Sequence, residues 1–140
     1  MCASPSSPSA AGARRKDLAP ARQDRTGLRF RIRVMQGEII AVGPGKIDLL
    51  VAVGEHRSIS AAAKALGMSY RRAWMLVDQM NRSLRAPVVS AIAGGAHGGG
   101  AALTEFGLHL IELYRAIEAR ARQACAQDIQ RLLDMVADPS

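Results

Sequence analysis

Hydrophobic positions along the chain change their period several times, and each change marks a new element. From Leu28 to Met35 apolar and basic residues alternate, with Leu28, Phe30, Ile32 and Val34 on one side and Arg29, Arg31 and Arg33 on the other. Period two with β-branched and aromatic residues predicts a strand. Gln36–Gly37 supplies a turn and Glu38–Val42 a second short strand, which makes an N-terminal β-hairpin. Gly43-Pro44-Gly45 breaks the chain. Ile47, Leu50, Val51 and Gly54 then recur at helical spacing, so a helix is predicted over Lys46 to Glu55.

Ser58 can cap a short alanine-rich helix that Gly67 ends, because glycine adopts the left-handed conformation without a Cβ penalty. Ser69 can cap the next helix, Tyr70 to Leu84. On it Ala73, Trp74, Val77, Met80 and Leu84 share a side, so Trp74 is expected in the core. Pro87–Ile92 and Ala101–Leu103 read as strands of a hairpin with a glycine-rich tip, Gly94 to Gly100. Thr104 caps a long helix from Glu105, and no proline follows until Pro139. At about 1.5 Å per residue, a helix over 105–137 is longer than a small domain is wide. The fold class is mainly α with small β. Residues 1–27 are expected as a disordered basic tail and 28–104 as a winged helix-turn-helix domain. Residues 105–137 are expected as the long helix.

The physical logic of that motif is specific. Ala61, Ala62, Ala63 and Ala65 let two helices cross closely, and Gly67 makes the turn between them. The second helix can put its first turns into a major groove, where base edges carry a distinguishable donor and acceptor code. Arg71 or Arg72 suits two hydrogen bonds to guanine, and Met75 a thymine methyl. Ser69 and Tyr70 suit phosphate, as do Ser58 and Ser60 at the start of the preceding helix. At the wing tip Gly95, Gly98 and Gly99 offer backbone N–H groups and His97 a side chain. The competing reading of the arginines is a solvated helix face, and of the glycines a flexible hairpin end. Arg29, Arg31 and Arg33 form either a basic patch or the solvent side of an edge hairpin.

Charge supports an anionic partner. The 140 residues carry 19 Lys and Arg against 12 Asp and Glu, a net charge of +7, which suits either nucleic acid, here double-stranded DNA, or an acidic surface. Residues 28–86 hold ten basic against four acidic side chains, and 87–140 hold four against six. The long helix is thus near neutral. Leu110, Leu113, Tyr114, Ile117, Ala121, Ala124 and Cys125 approximate an apolar seam on it, suited to homodimer formation. No run of about 18 apolar residues predicts a membrane span. Residues 1–13 lack a signal-peptide core. Cys2 and Cys125 suggest neither a zinc site nor a disulfide framework, and a cytoplasmic setting is expected. His56, His97 and His109 are scattered, and no catalytic or metal-ligating spacing occurs, so no enzyme is expected.

Several stretches together resemble one family. They are Gly-Lys-Ile-Asp-Leu-Leu (45–50), Ser-Ile-Ser-Ala-Ala-Ala-Lys-Ala-Leu-Gly-Met-Ser-Tyr-Arg-Arg-Ala-Trp (58–74), Asp-Gln-Met-Asn (78–81), the glycine loop (94–100) and Leu-Thr-Glu-Phe-Gly (103–107). In this order they resemble the N-terminal DNA-binding domain of ModE-type, molybdenum-dependent transcription regulators, over roughly residues 28–120. The resemblance implies a winged helix-turn-helix homodimer paired through its long helix, with the N-terminal strands helping. It implies that Ser69–Arg72 opens the recognition helix and that Gly94–Gly100 is the wing. Family members that sense molybdate use a further C-terminal oxyanion-binding domain, so molybdate is not expected on this chain. Ala91, Ala93 and Ala96 stand in the wing where basic residues would be unsurprising, which shifts wing contacts towards backbone amides. A sequence-specific regulator is therefore the expected function. The alternative is a winged-helix interaction module or co-regulator without its own sensor domain.

Overall fold

Capping side chains set the starts of three helices. The computed structural model describes residues 26–95 and 98–138, which fall into two units: one within 30–124, and one formed from 26–29 with 125–138. The first unit opens with an antiparallel hairpin, β1 (Val34–Gln36) and β2 (Ile39–Val42). It leads into α1 (Pro44–His56), where Pro44 in the first turn has no N–H to leave unpaired. α1 ends at Arg57, left-handed at φ 56°, whose N–H donates to Val53 O at 2.8 Å.

The next two helices follow their caps. α2 (Ile59–Leu66) starts where Ser58 Oγ accepts from the Ala61 N–H at 3.0 Å. It stops at Gly67, φ 71°, a conformation that penalises any Cβ. α3 (Tyr70–Ser83) starts where Ser69 Oγ accepts from the Arg72 N–H at 3.1 Å. α2 packs against both α1 and α3. Ala62, Ala63 and Ala73 are almost wholly buried, which is the close crossing that small side chains permit. Leu49, Leu50 and Val53 of α1 and Val77 and Met80 of α3 fill the space around them. Each fully buried side chain of this kind contributes about 1.5–3 kcal/mol relative to an exposed one.

The wing is the antiparallel pair β3 (Val89–Gly95) and β4 (Gly98–Leu103), with Val89 opposite Leu103 and Gly95 opposite Gly98. Asn81 fastens it to α3: its Oδ1 accepts from the Val88 N–H at 2.8 Å and its Nδ2 donates to Val89 O at 3.3 Å. The Ala101 N–H donates to Arg57 O at 3.1 Å and ties the wing to the end of α1. At Gly100 an added Cβ would stand 2.6 Å from that same carbonyl, so the approach requires glycine. α4 (Glu105–Ala124) follows, capped by Thr104 Oγ1, which accepts from the Gly107 N–H and donates to Pro87 O. α4 buries Ile111 and Tyr114 in the common core. The second unit, described by itself, holds α5 (Ala126–Leu133) with an exposed Asp128–Arg131 ion pair. The winged helix-turn-helix with an N-terminal hairpin and a long following helix is thus the observed fold.

Expectations for the first strand, the long helix and Trp74 differ from what is observed. The strand expected over 28–35 is hydrogen-bonded only from Val34 onward. Residues 30–33 keep the alternation, with Phe30 and Ile32 half-buried and Arg31 and Arg33 exposed. They lack a ladder because β2 is four residues long and Pro44 begins a helix directly after it. They are held instead by side chains: the Tyr114 hydroxyl donates to Ile32 O at 2.9 Å, and Arg122 lies 5.3 Å from the Phe30 ring centroid. The helix expected over 105–137 is broken at Cys125, at φ −107° and ψ 16°. Arg122 in the last turn of α4 and Asp128 in the first turn of α5 suit two helix ends there. Trp74 is 47% exposed rather than in the core. The buried face of α3 is Ala73, Val77 and Met80, and the next residue along a helix is turned about 100° from its predecessor. The tail expected over 1–27 lies outside the described residues but for Thr26 and Gly27.

Candidate nucleic-acid interface

The exposed start of α3 lies between two hairpins. Towards the wing, Tyr70, Trp74 and Asn81 line a cleft of about 380 Å³ with Val89, Ser90, Ala91 and Gly100. Next to it, Ser58, Ser60 and Tyr70 border a smaller hollow of about 220 Å³ with Gly99 and Gly100. Four residues expected to meet phosphate are thus brought together: Ser58, Ser60, Tyr70 and Gly99. Three hydroxyls around one hollow can donate to an anion's oxygens. Ser58 and Ser69 each use Oγ as the acceptor of a helix cap and keep an O–H to donate.

Towards the N-terminal hairpin, Arg72, Leu76 and Gln79 line a cavity of about 410 Å³ with Arg31, Arg33 and Lys46. The structure therefore separates Arg71 from Arg72, which the sequence left interchangeable. Arg72 turns towards the hairpin. Arg71 and Met75, four residues apart on one helix face, form the exposed ridge between the two cavities. Asp78 and Arg82 continue the ridge as an ion pair at 3.0 Å. Gly95 and Gly98 pair across the end of the wing ladder. His97 lies outside the described residues.

Two contributors were missed in the sequence. Trp74 lines the wing cleft. Lys46 is 6% exposed, with its Nζ donating to Ile40 O and to Gln79 Oε1. Burial pushes its ammonium below the usual lysine range. The signal was present: Lys46 stands three, four and seven residues before Leu49, Leu50 and Val53, on the core face of α1. On α4, Leu113 and Ile117 are exposed, Leu110 and Ala121 are half-buried, and Phe106 is partly exposed. These five follow one another at spacings of three or four. Tyr114, expected in the same seam, is instead buried in its own unit, where desolvation and the Glu118 carboxylate raise the pKa of its hydroxyl. Among the described residues no helix is long and apolar enough to cross a membrane. No group of three His, Cys, Asp or Glu there is arranged to hold a metal ion.

Residues 45–108 match the family described as bacterial regulatory helix-turn-helix protein, lysR family. Similar proteins include the molybdenum-pterin-binding protein MopB of Rhodobacter capsulatus, 53% identical over 56% of this chain and 29% of its own length. The molybdenum transport protein ModE of Azotobacter vinelandii is 38% identical over 76% of this chain and 40% of its own. The DNA-binding transcriptional dual regulator ModE of Escherichia coli is 37% identical over 68% and 33%. The chain spans well under half the length of each of these relatives. The match covers α1, α2, α3, the wing and the start of α4, which is the whole of the interface just described except its N-terminal hairpin. Residues 45–108 thus match the lysR-type bacterial regulatory helix-turn-helix family, and the chain is similar over this stretch to ModE-type regulators.

Proposed function

We propose that this chain is a transcription regulator that binds double-stranded DNA as a homodimer and reads sequence in the major groove with the first turns of α3. The observation that carries the reading is the exposed Arg71–Met75 ridge, flanked on one side by the hollow of Ser58, Ser60, Tyr70 and Gly99. A helix about 10–12 Å across fills a major groove about 12 Å wide, so its ridge meets base edges while its flanks meet backbone. Arg71 has the donor fork for guanine O6 and N7, and Met75 the apolar surface for a thymine methyl. Tyr70, Ser58 and Ser60, with the amides of Gly95, Gly98 and Gly99, fix the register on phosphate without reading sequence.

Pairing runs through Phe106, Leu110, Leu113, Ile117 and Ala121 of α4, and such a dimer presents two α3 helices to half-sites about one helical turn apart. The protein acts in the cytoplasm, where bacterial DNA is. One of its relatives is named as a DNA-binding regulator, which agrees with this reading. The test is a gel-shift comparison of Arg71→Ala with wild type on an operator selected from random duplexes. Wild type is expected to prefer the operator over competitor DNA. The variant should lose about 1–3 kcal/mol of that preference, the worth of one bidentate base contact, and keep its non-specific affinity. Sequence-blind retention of the wild type would instead favour a winged-helix co-regulator that acts through protein contacts.

A further inference from the structure

The wing of this chain carries no positive charge of its own: no Lys or Arg occurs between Arg85 and Arg115. Basic side chains gather on the opposite flank of α3. There Arg31 and Arg33 of the N-terminal segment and Arg72 of α3 face one cavity of about 410 Å³, in which Glu38 is the sole acidic lining residue among those described. Among the described residues none of the three guanidinium groups is paired with a carboxylate. Lys46 braces the walls, because its Nζ bonds Ile40 O on the hairpin and Gln79 Oε1 on α3 at once. Three unpaired guanidinium groups on a braced wall are a receptor for an oxyanion, since each offers planar forked donors that match phosphate.

The position of the cavity identifies the anion. A helix in the major groove has one sugar-phosphate backbone on each flank. The wing and the Ser58–Tyr70 hollow serve one flank. We propose that the cavity between the β1–β2 hairpin and α3 seats a backbone phosphate on the other flank, held by Arg31, Arg33 and Arg72. The hairpin thus acts as a second wing and supplies the charge that the glycine-rich wing lacks. This site rests on the DNA-binding reading above and adds to it the phosphate-binding residues of the N-terminal segment. Lys46 is a positioning residue in it, and the arginines are the binding residues.

The test compares the full-length chain with R31Q/R33Q, which keeps much of each exposed stem and removes both charges. Circular dichroism melts verify that the variant folds. Fluorescence anisotropy measures affinity for the selected operator and for a non-specific duplex between about 50 and 200 mM salt. Removing one bound phosphate should make the log–log salt slope shallower by about 0.9. One phosphate therefore accounts for about a 3–4-fold share of the fall in affinity across that salt range. The expected result is a slope shallower by at least one such step, weaker binding to both duplexes and an unchanged ratio between them. R31K/R33K should restore the slope, because the charge returns. An unaltered slope in a folded R31Q/R33Q overturns this site and leaves the DNA reading standing. A wild-type chain that binds no duplex in a salt-dependent way overturns both. Calorimetry with inorganic phosphate separates a backbone phosphate from a free one. No saturation at millimolar phosphate is expected. Saturable binding that R31Q/R33Q abolishes would make this a small-anion site and overturn the assignment to DNA.

Discussion

Replacing Gly100 by alanine perturbs the joint between the wing and the helix-turn-helix at a single atom. The new Cβ would stand 2.6 Å from Arg57 O and 3.8 Å from the Arg57 carbonyl carbon. The first distance is too short for any side chain, and the neighbour is backbone, so the strand or the end of α1 has to shift. That same carbonyl accepts from the Ala101 N–H at 3.1 Å, so a shift breaks a bond next to the clash. A lost hydrogen bond costs about 0.5–1.5 kcal/mol. Overpacking adds about 1–3 kcal/mol. Together they predict a loss of about 1.5–4.5 kcal/mol. At about 4–8 °C per kcal/mol for a domain of this size, the melting temperature should fall by at least about 6 °C. Gly45→Ala is the matched control. A Cβ at Gly45 meets nothing within 4 Å, and its φ is not left-handed. Alanine for glycine in a helix stabilises by up to about 1 kcal/mol. Urea unfolding at one fixed protein concentration measures both changes, and the two variants should move in opposite directions. A Gly100→Ala protein within about 0.5 kcal/mol of wild type, on the scale expected for surface changes, would refute the close approach of wing and α1.

Three further outcomes follow from the same geometry. Asn81→Ala strips the Val88 N–H of its acceptor and should cost about 1–3 kcal/mol, with faster amide exchange through β3 as the local readout. Lys46 is held below its usual pKa of 10.5 by burial, so the unfolded chain binds more protons than the folded one as the pH approaches that value. Stability should rise with pH in that window, and the stability difference between wild type and Lys46→Met should change between neutral pH and pH about 9.5; a difference independent of pH would contradict the burial. L113E/I117E should convert a two-chain species to a one-chain species in sedimentation analysis and weaken operator binding, whereas a dimer that survives would move the pairing surface elsewhere.

The sequence was most legible where a side chain closes a helix. Ser58, Gly67, Ser69 and Thr104 each mark a boundary within a residue of where it falls, because capping is local chemistry. The N-terminal segment was half legible. Alternation of Ile32 with Arg31 and Arg33 reports which side chains turn inward, and it does so whether or not a ladder partner exists. Residues 30–33 are held instead by the hydrogen bond from Tyr114 to Ile32 O and by the Arg122 contact with the Phe30 ring, both far away along the chain, which no local pattern records. Trp74 and Tyr114 were misread for a shared reason. A helical stripe fixes a side chain's direction only to within a neighbouring position, and the choice between core, cleft and partner belongs to the tertiary packing. Of the candidate site, the positions of Ser58, Ser69 and Tyr70 at helix starts could be placed from the sequence. That Arg72 turns towards the hairpin and Arg71 does not could not be read there, because it depends on which flank the hairpin occupies.

Methylation interference on the selected operator distinguishes the two grooves, since guanine N7 lies in the major groove and adenine N3 in the minor groove. The account predicts that methylated guanine N7 blocks binding in two symmetric patches centred about 10 base pairs, or a multiple of that, apart, and that Arg71→Ala removes the effect at one position in each patch. Interference confined to adenine N3, or none at any guanine N7, would contradict a recognition helix that opens at Ser69 and reads the major groove.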